Sequence, residues 1–221
     1  MRRIVGAAFC TLDGVIQGPG GPSEDPTGGF KYSGWLPPVG DDAIDEKIGE
    51  LFGRPFDLLL GRRTYEIFAA YWPYAPDEMA QIRDPFDDCT KYVVTHRDDP
   101  LEWKNSQRVG QIEELRAIKQ GHGPDLVIQG SSTLYPPLLS AGLIDRLILM
   151  RFPIILGHGR RIFDGSETPG ALKLVDHAVS DKGVVFTSYE PDGEVQTGSF
   201  ETKEPSKATL ALREKFARED S

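Results

Sequence analysis

The chain has 221 residues, 39% of them hydrophobic, and a formal net charge of −9, which is material for one sizeable core with an appendage rather than two domains. That charge, with no basic stripe to offset it, argues against a nucleic-acid partner, and no apolar run reaches membrane-spanning length. Met1-Arg2-Arg3-Ile4 leads into a strand-like stretch instead of a signal peptide, so a soluble, cytoplasmic protein without a membrane partner is expected. Cys10 and Cys89 lie far apart and suit free thiols in a reducing compartment. The four histidines have no ligand spacing, so no metal is expected.

Residues 4–11 are apolar and small, a central strand ended by the Asp13-Gly14 turn. Residues 17–40 are rich in Gly and Pro and too long for a simple connector; loops of this length are commonly lids or binding loops. Phe30, Tyr32 and Trp35 within it either fold over something apolar or pin the loop to the core. Residues 42–52 place Ala43, Ile44, Ile48, Leu51 and Phe52 at helical spacing, with acid in the first turn. A strand over 56–60 ends at Gly61 and a helix over 64–71 follows. Residues 91–95 form a β-branched strand, 113–120 a short helix, and 126–128 a buried strand that stops at Gly130. Strands over 146–152, 172–179 and 184–189 complete the sheet, the last two as an antiparallel hairpin around Asp181-Lys182-Gly183. Past Pro191 the composition is that of a linker. Residues 207–218 then read as one amphipathic helix, with Ser206 as N-cap and Ala208, Leu212 and Phe216 on one face. The chain thus divides into an α/β domain, 1–191, and a polar linker with a short helix, 192–221.

Three strand ends carry glycines, hydroxyls and arginines: Gly61-Arg62-Arg63-Thr64, Thr95-His96-Arg97, and Gly130 followed by Ser131, Ser132 and Thr133. The first turn of a helix has N–H groups with no internal partner and a positive dipole end, which together hold a phosphate without any basic side chain. In a largely parallel sheet these ends converge where ligands of open α/β sheets bind. The net negative charge does not oppose a phosphorylated cofactor, which needs only local cations such as Arg62, Arg63 and Arg97.

Thr11-Leu-Asp-Gly14, Leu60-Gly-Arg-Arg-Thr-Tyr-Glu66, Val94-Thr95, Gly130-Ser-Ser-Thr-Leu134, Gly142-Leu-Ile-Asp145 and Pro153-Ile-Ile-Leu-Gly-His-Gly159 together resemble the dihydrofolate-reductase-like superfamily. Within it, the chain resembles the group related to the reductase domain of the bifunctional riboflavin-biosynthesis deaminase-reductase, over residues 3–189. The resemblance implies a three-layer fold with a mixed, mostly parallel central sheet, an antiparallel C-terminal hairpin and flanking helices. It also implies NADPH as hydride donor and a small heterocyclic substrate. Carried over by position, it assigns Ala8, Phe9 and Ile16 to main-chain contacts around the nicotinamide, and Gly61, Arg62 and Thr64 to the pyrophosphate. Thr95 and Arg97 fall to the adenosine ribose and its 2′-phosphate. Gly130, Ser131, Ser132, Thr133 and Leu134 form the second half of the phosphate cradle. An Arg beside a strand end favours NADP over NAD.

Two departures bear on the substrate. Riboflavin reductases usually show Glu-Gly-Gly where this chain has Gln129-Gly130-Ser131, so a substrate-facing carboxylate is replaced. Set against dihydrofolate reductases, Asp45 stands where the pterin-binding acid would be, able to bond an amino-pyrimidine edge and help protonate it. The run Asp41, Asp42, Asp45 and Glu46 equally fits acid placed at a helix N-terminus. Asp13, the second catalytic candidate, is either a turn former or a site residue. Three functions stay open: an NADPH-dependent reductase of a small heterocycle or its ribosylamino derivative, a dihydrofolate reductase, and a nucleotide-binding protein without turnover. The resemblance further implies a homodimer, for which the apolar segment 143–152 and the tail helix offer surfaces. A strand buried on both faces would read as 143–152 does.

Overall fold

The computed structural model describes residues 1–166, 168–200 and 204–219. Eight strands form one sheet: β1 (Ile4–Thr11), β2 (Phe56–Gly61), β3 (Lys91–Val94), β4 (Ser106–Val109), β5 (Asp125–Gln129), β6 (Arg146–Phe152), β7 (Leu172–Val179) and β8 (Val185–Pro191). Their order is β4-β3-β2-β5-β1-β6-β8-β7. The first six of that order run parallel, and β8 is antiparallel to both β6 and β7. The helices are α1 (Asp42–Phe52), α2 (Arg62–Tyr71), α3 (Ala80–Asp88), α4 (Ile112–Gln120), α5 (Tyr135–Ser140) and α6 (Lys207–Glu219). This is a mixed, mostly parallel sheet with flanking helices and an antiparallel end. α3 and β4 are additions to the elements anticipated from sequence.

The sheet separates two cores. On one face, residues of α1, α2 and α3 and the rings of Phe30 and Trp35 pack on Leu58, Leu60, Val127 and Phe152; on the other, Leu115 of α4 and Leu138 of α5 pack on Leu59, Leu126, Ile128 and Leu147. Covered on both sides, a parallel strand must be apolar throughout, which is why β2 reads Leu-Leu-Leu with all three at 0% exposure. Gly6 is required by packing: a Cβ there would lie 2.6 Å from the ring of Tyr135, a fully buried side chain whose hydroxyl donates to Ala7 O at 3.2 Å.

β6 lies between β1 and β8, and Leu143, Ile144, Leu147, Leu149, Met150 and Phe152 are all buried. The apolar segment 143–152 is therefore explained by burial on both faces and offers no dimer surface. Exposed apolar residues occur in connecting segments, such as Tyr74 and Ile155, and on the edge strand β7 and α6, where Leu174, Val179, Leu212 and Phe216 are 46%, 66%, 49% and 54% exposed. The tail helix begins as expected, with Ser206 Oγ accepting from Thr209 N at 3.1 Å. Among the described residues no helix is long and apolar enough to cross a membrane.

The amino ends of the strands are closed by charge pairs. Arg2, 4% exposed, pairs with Asp57 and lies over the Tyr92 ring. Asp145 accepts from Ile4 N at 2.7 Å and from Lys119 Nζ. The carboxyl ends carry a different set of groups.

Candidate functional site

Two strand-to-helix corners interlock at those carboxyl ends. Gly61, the last residue of β2, donates its N–H to Ser131 Oγ at 3.0 Å, and Ser131 N donates to Thr64 Oγ1 at 3.1 Å. Gly130 (φ +65°) and Ser131 (φ +55°) both sit in the left-handed region, natural for the glycine and strained for the serine. Hydroxyl residues that follow a strand end commonly open a helix. Instead Ser131 turns back onto Gly61, a single 3-10 turn over Ser132–Leu134 follows, and α5 has only six residues. Thr64 Oγ1 accepts one bond and keeps its own proton to donate. Ser132 and Thr133 are progressively more open to solvent, while Leu134 is buried beneath them.

β1 passes beside this corner. Leu126 N donates to Arg3 O at 2.8 Å, so Arg3, Val5, Ala7 and Phe9, at alternate positions, face β5 with their main-chain groups. Pairing with β5 ends at Ala7 and Gln129, whereas pairing with β6 runs on to Thr11 and Phe152. The N–H and C=O of Phe9 therefore face the side on which β5 has already turned away. Ala8 is buried in the opposite direction, and Ile16 N is held by Arg160 O at 2.9 Å.

At the ends of β2 and β3 the cations are met by carboxylates. Arg62 Nε donates to Glu66 at 2.7 Å and its guanidinium lies over the Tyr65 ring, and Arg97 pairs through Nε with Asp99 at 2.7 Å and through Nη1 with Glu66 at 3.5 Å. Thr95 is buried, its hydroxyl accepting from Arg97 N at 3.1 Å. A phosphate here would replace Glu66 or Asp99 at one arginine rather than enter an empty cationic pocket.

The two carboxylates singled out from sequence fall elsewhere. Asp45 lies on the exposed side of α1, while the helix buries Ile44 and Ile48; its acid fits a favourable charge near the helix start. Asp13 is a turn former. Burial alone would raise its pKa, but the Thr11 hydroxyl and the N–H groups of Gly157 and Leu156 hold it down at about 2. It stays ionised and ties the end of β1 to the loop after β6.

That loop and the 17–40 segment are clasped by groups the sequence did not disclose. Asp25, 5% exposed, pairs with Arg160 and, at 3.6 Å, with Arg63. Gln17 accepts from Arg160 N at 3.0 Å and donates to Thr27 O at 2.9 Å. Phe30 and Trp35 are buried in the core, and Trp35 Nε1 donates to Gln17 O at 2.9 Å, so the rings pin the loop. Beyond the end of β1 lies a cleft of about 260 Å³ lined by Cys10, Asp13, Arg151 and Phe163. Burial pushes the Cys10 thiol up to about 11 despite Arg151 beside it, which removes it as a nucleophile near neutral pH.

The interlocked glycine corners, the parallel sheet and the antiparallel C-terminal pair define a dihydrofolate-reductase-like α/β domain. The chain belongs to the RibD C-terminal domain family, which matches residues 2–186. It is 24% identical over 202 residues to the uncharacterised protein YyaP of Bacillus subtilis (strain 168), covering 87% of this chain and 96% of that one. Its fold is similar to that of a dihydrofolate reductase from Enterococcus faecalis, solved with NADP(H) (TM-score 0.54, 18% identity, 86% of this chain and 96% of that one). It is also similar to a diaminohydroxyphosphoribosylaminopyrimidine deaminase/5-amino-6-(5-phosphoribosylamino)uracil reductase from Thermotoga maritima (TM-score 0.58, 15% identity), covering 86% of this chain and 57% of that one.

Proposed function

We propose that this chain is a reductase that passes hydride from NADPH to a small heterocycle of the kind handled in riboflavin biosynthesis. The observation that carries the reading is the gap between β1 and β5. There the Phe9 main chain faces the interlocked Gly61 and Gly130–Ser131 corners, and a nicotinamide amide would find both a donor and an acceptor. The first N–H groups of α2 and the Thr64 hydroxyl would take the pyrophosphate. Arg62 and Arg97 would take the 2′-phosphate in exchange for Glu66 and Asp99. NADPH supplies the hydride; the protein contributes orientation and a dry surface. In this reading the proton comes neither from Asp13, held ionised in its turn, nor from Asp45, exposed on α1, which separates it from a pterin reductase that relies on Asp45.

The name of the Thermotoga maritima protein supports a pyrimidine substrate, and the Enterococcus faecalis complex supports the cofactor. We further propose that two copies pair along the exposed, apolar edge strand β7, an unpaired edge of the kind that recruits a second chain. The test of function is a panel of amino-pyrimidine and pterin substrates monitored by NADPH absorbance. Turnover of the amino-pyrimidines supports the reading. Turnover of dihydrofolate alone makes the chain a pterin reductase, and binding of NADPH without turnover of any compound leaves a nucleotide-binding protein.

A further inference from the structure

Arg151 stands one residue before the end of β6, and no carboxylate meets its charge. Its register partners are Cys10 on β1 and Val185 on β8, and Val185 in turn faces Val179 on β7. Partners in register share a face of the sheet, so the guanidinium stands in a row with one thiol and two valines. Among the described residues Arg151 forms no ion pair with an acid. Asp13, which shares its cleft, is committed elsewhere: its carboxylate takes the Thr11 hydroxyl, the N–H groups of Leu156 and Gly157, and Arg161. Asp164, beside Phe163, takes the N–H and hydroxyl of Ser166. Cys10 supplies no counter-charge either, because burial holds its thiol up at about 11 and keeps it neutral. A partly buried cation so placed has lost water without gaining an anion.

The cleft around it is open. Its walls include Leu12, Leu149, Ile162 and Phe163, and Leu12 and Phe163 are 60% and 41% exposed, so its edge is reached from solvent. Cys10, Leu149 and Ile162 belong to the core beneath α4 and α5, whereas Phe9 packs with the opposite core. The cleft thus lies on the other face of the sheet from the 17–40 loop, and the inference does not rest on the reductase reading. We propose that this cleft is a second ligand site, in which the Arg151 guanidinium grips the carboxylate of a small monoanion whose apolar body lies against Leu12, Ile162 and Phe163. The fork of N–H donors matches a carboxylate in two parallel hydrogen bonds. One uncompensated cation balances one negative charge. A phosphate monoester would bring a second, to a chain of net charge −9 in which Arg161 is already taken by Asp13. At about 260 Å³ the space is below the roughly 300 Å³ where pockets begin to hold drug-sized molecules, which suits one ring or a short branched chain and shuts out a dinucleotide.

Benzoate is the probe, with benzamide as its neutral counterpart and acetate and inorganic phosphate as anions without the ring. The ¹⁵N-labelled protein is titrated with each, with and without NADPH, and the amides of Cys10, Leu12, Gly14 and Phe163 are followed. Benzoate is expected to bind at least about 10-fold more tightly than benzamide, the lower end of what hydrogen bonds to a charged group supply, and more tightly than acetate or phosphate. NADPH is expected to leave the benzoate affinity unchanged. Arg151→Met is expected to bind benzoate and benzamide alike, and Arg151→Lys, which keeps the charge but loses the fork, to fall between. Benzoate no tighter than benzamide, shifts absent from the cleft, or full affinity retained by Arg151→Met would overturn the proposal. Phosphate or acetate bound as tightly as benzoate would overturn the assigned ligand class, and displacement of benzoate by NADPH would overturn its separation from the cofactor. Should Arg151→Met fail to fold, the wild-type comparison of benzoate with benzamide decides alone.

Discussion

Ser131 bolts the two glycine corners together, and its removal can be worked out in parts. Ser131→Ala deletes the Oγ that accepts Gly61 N–H at 3.0 Å. With Ser131 only 7% exposed, the orphaned N–H costs about 1–3 kcal/mol. Alanine keeps the strain of a non-glycine residue at φ +55°. Ser131→Gly loses the same bond but relieves roughly 1–2 kcal/mol of left-handed strain, offset by about 0.5–1 kcal/mol of extra chain entropy in the unfolded state. Glycine should therefore be the milder substitution by about 0.5–1 kcal/mol, although it is the smaller residue. Urea unfolding of the three proteins gives both differences, and an NADPH titration of the same samples should show weakened binding in each variant. An alanine variant as stable as the wild type, or a glycine variant less stable than the alanine one, would refute the bolt.

Asp13→Asn should destabilise by about 1–2 kcal/mol near neutral pH, after discounting the full shift for solvent screening. Because the folded pKa of about 2 lies below the ordinary carboxylate value, this contribution is present above roughly pH 4 and fades as pH falls toward 2. Unfolding curves that keep a constant gap down to pH 2 would contradict it. Wild type should bind NADPH more tightly than NADH by about 1–3 kcal/mol, and Arg97→Gln should erase most of that difference; an unchanged ratio in calorimetry would place the 2′-phosphate elsewhere. Light scattering at micromolar concentration should give twice the 24.5 kDa chain mass, reduced to one by Leu174→Lys on β7, and a monomeric wild type would exclude the dimer.

The parallel strands and the helices that follow them were legible because each buries a periodic apolar set: α1 over 42–52 and β6 over 146–152 have the bounds the pattern gives. α3 escaped because Pro85 interrupts it and it buries only Phe86. β4 reads Ser-Gln-Arg-Val, an edge strand with almost no apolar signal. At the site, the glycines of the two corners were visible as strand endings, but the direction of the Ser131 hydroxyl was not, since it depends on a partner 70 residues away. Asp25 was silent for the same reason: Arg160, which pairs with it, is remote in sequence. Asp45 stood out by spacing alone, and spacing cannot tell which side of a helix an acid occupies when Asp42 and Asp45 both fall in its first turn.

The central claim is that NADPH lies between the Phe9 main chain and the interlocked glycine corners. Titrating the ¹⁵N-labelled protein with NADPH and following the backbone amides tests it most directly. The largest shifts are expected on Phe9, Gly61, Thr64, Ser131 and Ser132, with side-chain changes at Arg62 and Arg97. Shifts confined to the cleft of Cys10, Asp13 and Arg151, or a spectrum unchanged at saturating cofactor, would contradict it.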